Sequence, residues 1–258
     1  NGEISARDAL VSVLFAVAVA VAIQTGFFLY RRSAALMPGA GQPAGPVGRE
    51  LAGVAFPMFI ASILGTLMTH ADVLMLGILA GREETAALYA ASRLSMLVAL
   101  PLVIVNGGLA TIFTRHFARN DSVALQKAVT FGAHASLWPT LGLSVFAVVF
   151  AEELLRLFGD FYEEQKMLLF TLILGQLINV AAGSVAVLLT VTKHEKKNAR
   201  VLAVTVVVNI GMNLILIPRF GALGAAAATA TSLVVRNLWL YGVVRRELGI
   251  YPSVFKAL

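Results

Sequence analysis

The chain has 258 residues, 59% hydrophobic and 13% charged, with a mean hydropathy of +0.84 and a formal net charge of +6. Such a balance excludes a soluble globular domain and a disordered chain. With no cysteine in the sequence, disulfides and thiolate metal sites are excluded as well.

The apolar residues fall into seven long runs, at 9–30, 51–80, 85–113, 124–150, 166–192, 201–217 and 222–244. Each approaches or exceeds the ~20 residues that cross a bilayer core. Every second gap between them is basic. One set of gaps holds Arg31, Arg32, Arg49, Arg115, Arg119, Lys127, Lys193, Lys196, Lys197, Arg200, Arg245, Arg246 and Lys256. The other holds only Arg7, Arg82, Arg156, Lys166 and Arg219, a split of thirteen to five. Positive charge gathers on the cytoplasmic side of short loops, so the richer set is cytoplasmic. The N-terminus is then external and the C-terminus cytoplasmic. Because the loops account for the basic charge, no nucleic-acid partner is implied.

In chain order, residues 1–30, which hold the first run, have no initiating methionine, basic n-region or cleavage site, and read as a span, the last helix of a missing N-terminal lobe, rather than a signal peptide. Its abrupt external start suggests a fragment whose earlier spans are missing. Residues 31–50 carry Pro38, Pro43 and Pro46 among Gly39, Gly41, Gly45 and Gly48, a density that stops a helix and makes a cytoplasmic linker or a plain surface loop. Six spans with short loops follow over 51–250, and 251–258 form a cytoplasmic tail. The fold class is therefore all-α and integral to the membrane, with about seven transmembrane helices. An orphan helix plus a six-helix lobe is what a cut through a two-lobed, twelve-span transporter leaves, the N-terminal lobe being the absent partner.

Polar residues inside the spans mark the candidate site. Asp72 and Arg93 lie about ten residues either side of the turn near Gly81, hence at one depth, about 15 Å along each helix. They form either a structural ion pair or a cavity site in which Arg93 meets an anion and Asp72 holds a coupling cation. Pro101, Gly107 and Gly108 weaken the third run beside Asn106, as a hinge or as a tolerated kink. Gln176 and Asn179 share a helix face at i,i+3, as do Asn209 and Asn213 at i,i+4. These act as interhelical glue or as cavity contacts. Arg236 sits near the depth of Asn209 and either snorkels or adds a second basic contact. The run Gly221–Ala230, GALGAAAATA, reads as small-residue packing surface. The four histidines, His70, His116, His134 and His194, lack ligand-like spacing. Neither a metal site, a cofactor nor a catalytic constellation is expected.

Pro57, the stretch TLMTHADVLMLGILAG from Thr66 to Gly81, LYAASRL from Leu88, and NIGMNLILIPRFGALGAAAATATS from Asn209 to Ser232 resemble the oligosaccharide flippases. These form the polysaccharide-exporter branch of the superfamily that also holds multidrug and toxin extruders. The resemblance implies two six-helix lobes around a cavity, alternating access, a lobe that opens with Pro57, and passage of a lipid-linked oligosaccharide, undecaprenyl-pyrophosphate-linked, across the bacterial inner membrane. Membrane lipids and that lipid carrier are then the partners. A cation-coupled drug extruder of the same fold is the alternative. A membrane glycosyl-polymerising enzyme is a remote one, because no external loop is longer than about Ala151–Gln165.

Overall fold

The computed structural model describes residues 59, 62–66, 70–159 and 165–252. The first span, the linker, Pro57 and the tail from 253 lie outside them. By its contacts the chain divides into Asn1–Leu51 and Ala52–Leu258, and every described residue belongs to the second unit.

Among the described residues there are helices and no strands. They are α1 (His70–Leu79), α2 (Arg82–Val98), α3 (Leu100–Ala118), α4 (Ser122–Val149), α5 (Ala151–Arg156), α6 (Lys166–Ala181), α7 (Val185–Val191) and α8 (Glu195–Leu248). The long apolar runs force this choice, since only a helix satisfies every backbone polar group from within one segment in lipid. Two of the helices, α4 and α8, are long and apolar enough to cross a membrane, and four spans result if each bent pair counts as one. The pairs are α2 with α3, bent by 48°, and α6 with α7, bent by 43°.

The first bend falls at Ala99, and Pro101 stands in the opening turn of α3, where its missing N–H costs no helical bond. No helix break falls at Gly107–Gly108: α3 runs through both glycines. Glycine permits a bend but does not impose one while the i→i−4 bonds close around it.

Although α8 is 54 residues long, it is a hairpin. Gly221 has φ 55° and ψ −134°, outside helical values. A Cβ on Gly224 would lie 2.4 Å from the Leu216 carbonyl oxygen, eight residues away. In an unbroken helix those residues stand about 12 Å apart. The chain therefore reverses at Gly221, giving two antiparallel arms. Glu84 fastens the reversal, its Oε2 accepting from Ala222 N at 2.7 Å. A carboxylate at a helix start meets both orphan N–H groups and the positive end of the dipole.

One prediction concerns this tight reversal. Gly224→Ala should cost about 1–3 kcal/mol, because the obstacle is backbone and cannot swing aside. Gly211→Ala meets nothing within 4 Å and should be neutral or gain up to about 1 kcal/mol from helix propensity. Reversible unfolding in mixed micelles reads both. Equal stability of the two variants would contradict the hairpin packing.

Packing leaves two apolar clusters. One gathers Leu76, Leu88, Leu94, Leu155, Leu169 and Ile217; the other gathers Phe113, Leu125, Val185, Leu188, Leu240 and Val244. Along the arms of α8 a small cluster of Leu202 and Val206, with Leu233 against it, lies between them. At the end of the first cluster, Lys166 donates to Glu152 at 2.5 Å and holds that carboxyl below its ordinary range. Between α6 and the second arm the backbones nearly touch, a Cβ on Gly175 falling 2.9 Å from Ala230 Cα. Close approach through small residues is how helices bind each other where lipid removes the hydrophobic drive.

Candidate functional site

Asp72 is the starting point. It lies on α1 and is 5% exposed. The side chain turns toward the α8 hairpin: Oδ1 accepts from Asn213 Nδ2 at 2.5 Å, and Oδ2 accepts from the Thr229 hydroxyl. Asn213 belongs to the first arm and Thr229 to the second, so one carboxylate clamps both arms. The other hydrogen of Asn213 Nδ2 goes to Asn209 Oδ1 at 3.2 Å, and Thr229 also donates to the Ala225 carbonyl at 3.0 Å. Among the described residues Asp72 has no ion-pair partner; neutral donors alone compensate its charge.

These bonds leave polar atoms over. Asn213 Oδ1 and Asn209 Nδ2 are buried with no partner among the described residues. An orphaned buried group costs about 1–3 kcal/mol and calls for an explanation. The Asp72 carboxylate and the Asn209 amide oxygen converge on the Asn213 amide nitrogen, and the Thr229 hydroxyl donates to the same carboxylate, so these oxygens would gather on a cation only with the Asn213 amide turned. Such hard oxygens suit a small hard cation. No group of three or more His, Cys, Asp or Glu side chains comes together among the described residues.

Asp72 and Thr229 open onto a cavity of about 430 Å³ bounded by α1, α2, α6 and both arms of α8. Gln176, Asn198 and Arg236 also line it. Arg236 is half-buried, and its Nε has no partner among the described residues. Asn198 Oδ1 is orphaned in the same way. Asp72 and Arg236 are the only ionisable side chains that line this cavity among the described residues.

Arg93 is placed elsewhere. It stands exposed on α2, donates to the Tyr89 hydroxyl at 2.7 Å, and lies 4.5 Å from the centre of the Tyr89 ring. The Asp72–Arg93 pair expected from their matched depth does not form. Depth arithmetic fixes height along a helix but not azimuth, and the two side chains leave their helices in different directions.

The remaining candidates sort by element. Gln176 Oε1 accepts from Asn179 Nδ2 at 3.1 Å, and Asn179 Oδ1 accepts from Asn237 Nδ2 at 2.9 Å. That ladder ties α6 to the second arm and leaves Gln176 facing the cavity. Asn106 is half-buried on α3 with Oδ1 unpartnered and does not line the cavity. Pro101 marks the bend between α2 and α3 and likewise lies apart from it.

Three contributors escaped the sequence reading: Thr229, Asn198 and Asn237. Thr229 sits inside the Gly221–Ala230 run, where it is the one side chain with a hydroxyl. That lone hydroxyl was the available signal. Asn237 directly follows Arg236, and Asn198 lies among the basic residues of 193–200 at the start of α8, where a polar residue draws no notice.

Residues 57–215 match the MatE family. That stretch holds 159 residues, well over half the chain; it includes Asp72, Arg93, Asn106, Gln176, Asn179, Asn209 and Asn213, and ends before Thr229 and Arg236. No curated protein matches the chain. With its apolar helices and this match over most of the described lobe, the chain belongs to the MatE family of membrane transporters.

Proposed function

We propose that this chain carries one lobe of an exporter that moves a lipid-linked oligosaccharide, its sugar joined to the lipid through a phosphate bridge such as undecaprenyl pyrophosphate, across the bacterial inner membrane. In this reading the cavity is the transport site. Asp72, with Asn209, Asn213 and Thr229, holds the coupling cation. Arg236, with Gln176 and Asn198 nearby, holds the anionic part of the cargo. A companion lobe closes the cavity, and the lobes rock in alternating access.

The observation that carries this reading is the state of Arg236. A guanidinium at membrane depth is costly and normally paired. Here its Nε lacks a partner among the described residues, while the carboxylate in the same cavity is already held by neutral donors. A planar, permanently charged fork with unspent donors suits phosphate. The competing reading is a cation-coupled drug extruder, favoured by the single carboxylate in the cavity. Discrimination comes from cargo: in a strain deleted for the full-length gene, the flippase reading expects lost surface polysaccharide and unchanged sensitivity to cationic drugs. Normal polysaccharide with drug hypersensitivity would favour the extruder.

Orientation belongs to this reading too. Cysteines at Arg82 and Gly159 should react with an impermeant maleimide added from the periplasm, and one at Lys196 should not, as the thirteen-to-five charge split demands. Labelling with the opposite sidedness would invert the lobe.

A further inference from the structure

We propose that residues 249–252, just beyond α8, form a strap that locks the broken helix α6–α7 in its bent geometry, and that strap and break open as one unit. The lock bears on a wall of the cavity whatever the cargo is, since α6 lines that cavity with Leu172 and Gln176.

The chain turns out of α8 at Gly249, which takes the left-handed φ of 66° while its N–H closes on the Arg245 carbonyl. Glycine allows that ending without strain. The strap then crosses the end of the lobe. Ile250 is 2% exposed, packed in one cluster with Leu125 and Val129 of α4 and Val185 and Leu188 of α7. Tyr251 is fixed through its backbone: its N–H donates to Gln126 Oε1 at 2.8 Å, and its carbonyl accepts from Gln126 Nε2 at 2.9 Å. A side-chain amide, with one acceptor and a donor beside it, matches a peptide unit in this reciprocal way. The Arg245 guanidinium lies 5.0 Å from the centre of the Tyr251 ring.

Pro252 reaches the break itself. Gly183 stands between α6 and α7 with φ 72°, and a Cβ there would fall 2.5 Å from the Pro252 carbonyl oxygen. The left-handed backbone and the close approach both demand glycine at this position. The break does little to hold itself. Ser184 is the N-cap of α7, where a serine oxygen ordinarily accepts from the first turn. It makes no cap bond, and its buried hydroxyl has no partner among the described residues. The 43° bend is therefore supported from outside the helix pair, by Pro252 and by Ala133 of α4, whose Cβ would stand 3.5 Å from the same built atom. Gln126 holds Pro252 there by gripping the residue before it.

Hydrogen–deuterium exchange on the full-length protein in lipid nanodiscs tests the lock. In Gln126→Ala the amides of Tyr251 and of residues 182–188 should exchange about tenfold faster and in step, the scale of losing two neutral hydrogen bonds in one local opening. Amides 168–173, in the buried part of α6, should keep their wild-type rates. Gly183→Ala strikes the contact from the other side and should speed exchange at Tyr251 as well. Tyr251→Ala keeps both backbone bonds, loses only the ring, and should leave 182–188 as in wild type. Faster exchange at Tyr251 alone in Gln126→Ala, with 182–188 unchanged, would make the strap a passive tail and overturn the lock. Acceleration that spreads over 168–173, or a Tyr251 amide still protected in Gly183→Ala, would overturn it too. So would Tyr251→Ala loosening 182–188 as much as Gln126→Ala does.

Discussion

Asp72→Asn should abolish transport, by about 100-fold, while the protein still folds and reaches the membrane at near wild-type levels. The amide is isosteric with the carboxylate and can satisfy the same neighbours. Its oxygen accepts from Asn213 Nδ2, and its nitrogen donates to Thr229 Oγ1, whose own hydrogen already has the Ala225 carbonyl as an acceptor. The hydroxyl both donates and accepts, so no buried group is orphaned by the change. Lost instead is the one negative charge lining the cavity among the described residues, and with it the affinity for a cation. The size follows from losing one charge–cation attraction of about 3 kcal/mol. Asp72→Ala is the sharper structural insult. It strips Asn213 and Thr229 of a charged acceptor, a loss of about 1.5–3 kcal/mol for such a bond, and should lower the amount of folded protein as well. Transport by Asp72→Asn at wild-type rate would leave the carboxylate a mere clamp between the arms of α8.

Arg236→Gln should cut transport by about 10- to 100-fold, whereas Arg93→Gln should cost at most a fewfold. Both are arginines within the spans, and sequence offers no reason to rank them. Geometry does. The Arg93 guanidinium is engaged by the Tyr89 hydroxyl and ring and lies off the cavity that holds Asp72. Arg236 lines that cavity with its Nε unspent. A bidentate charge-assisted contact to phosphate accounts for about 1.5–3 kcal/mol, which gives the expected range. Glutamine keeps much of the aliphatic stem, so a packing defect is not the cause of the loss. Transport assayed at matched protein levels separates the two arginines. A larger loss at Arg93 than at Arg236 would relocate the anion contact to the outer face of α2.

The described spans were legible because lipid allows so few solutions. Runs of apolar residues bounded by charge became helices close to their sequence limits, and the turns at Gly81 and Gly221 fell where glycine and charge announced them. The pairs at Gln176–Asn179 and Asn209–Asn213 were legible through helical spacing, and each pair is joined by a side-chain hydrogen bond. What sequence does not carry is azimuth. Asp72 and Arg93 were matched in height, yet the rotation of α1 turns Asp72 toward α8 and away from Arg93. Exchanging the two charges with Asp72→Arg and Arg93→Asp therefore does not preserve a pair and should lower the amount of folded protein. A guanidinium at position 72 would be a larger cation buried against the α8 hairpin with no carboxylate among its described neighbours. Thr229 stayed hidden because nine small or apolar neighbours made its stretch look like packing surface alone, and much of it is that, as the Gly224 and Ala230 contacts show. The Gly107–Gly108 pair is continuous helix, since flexibility in a residue type is not by itself a bend in a helix.

On the proposed reading, the cavity between α1, α2, α6 and α8 carries an anionic, lipid-linked cargo. Proteoliposomes holding the full-length protein and a fluorescent polyprenyl-diphosphate oligosaccharide test it most directly, with the accessible fraction read by quenching from outside under an imposed sodium gradient. Wild type should equilibrate or concentrate the lipid across the bilayer, and Arg236→Gln and Asp72→Asn should leave it close to the protein-free rate. Equal rates in wild type, both variants and empty liposomes, together with gradient-driven efflux of a cationic dye by wild type alone, would contradict the claim and make this cavity a drug site.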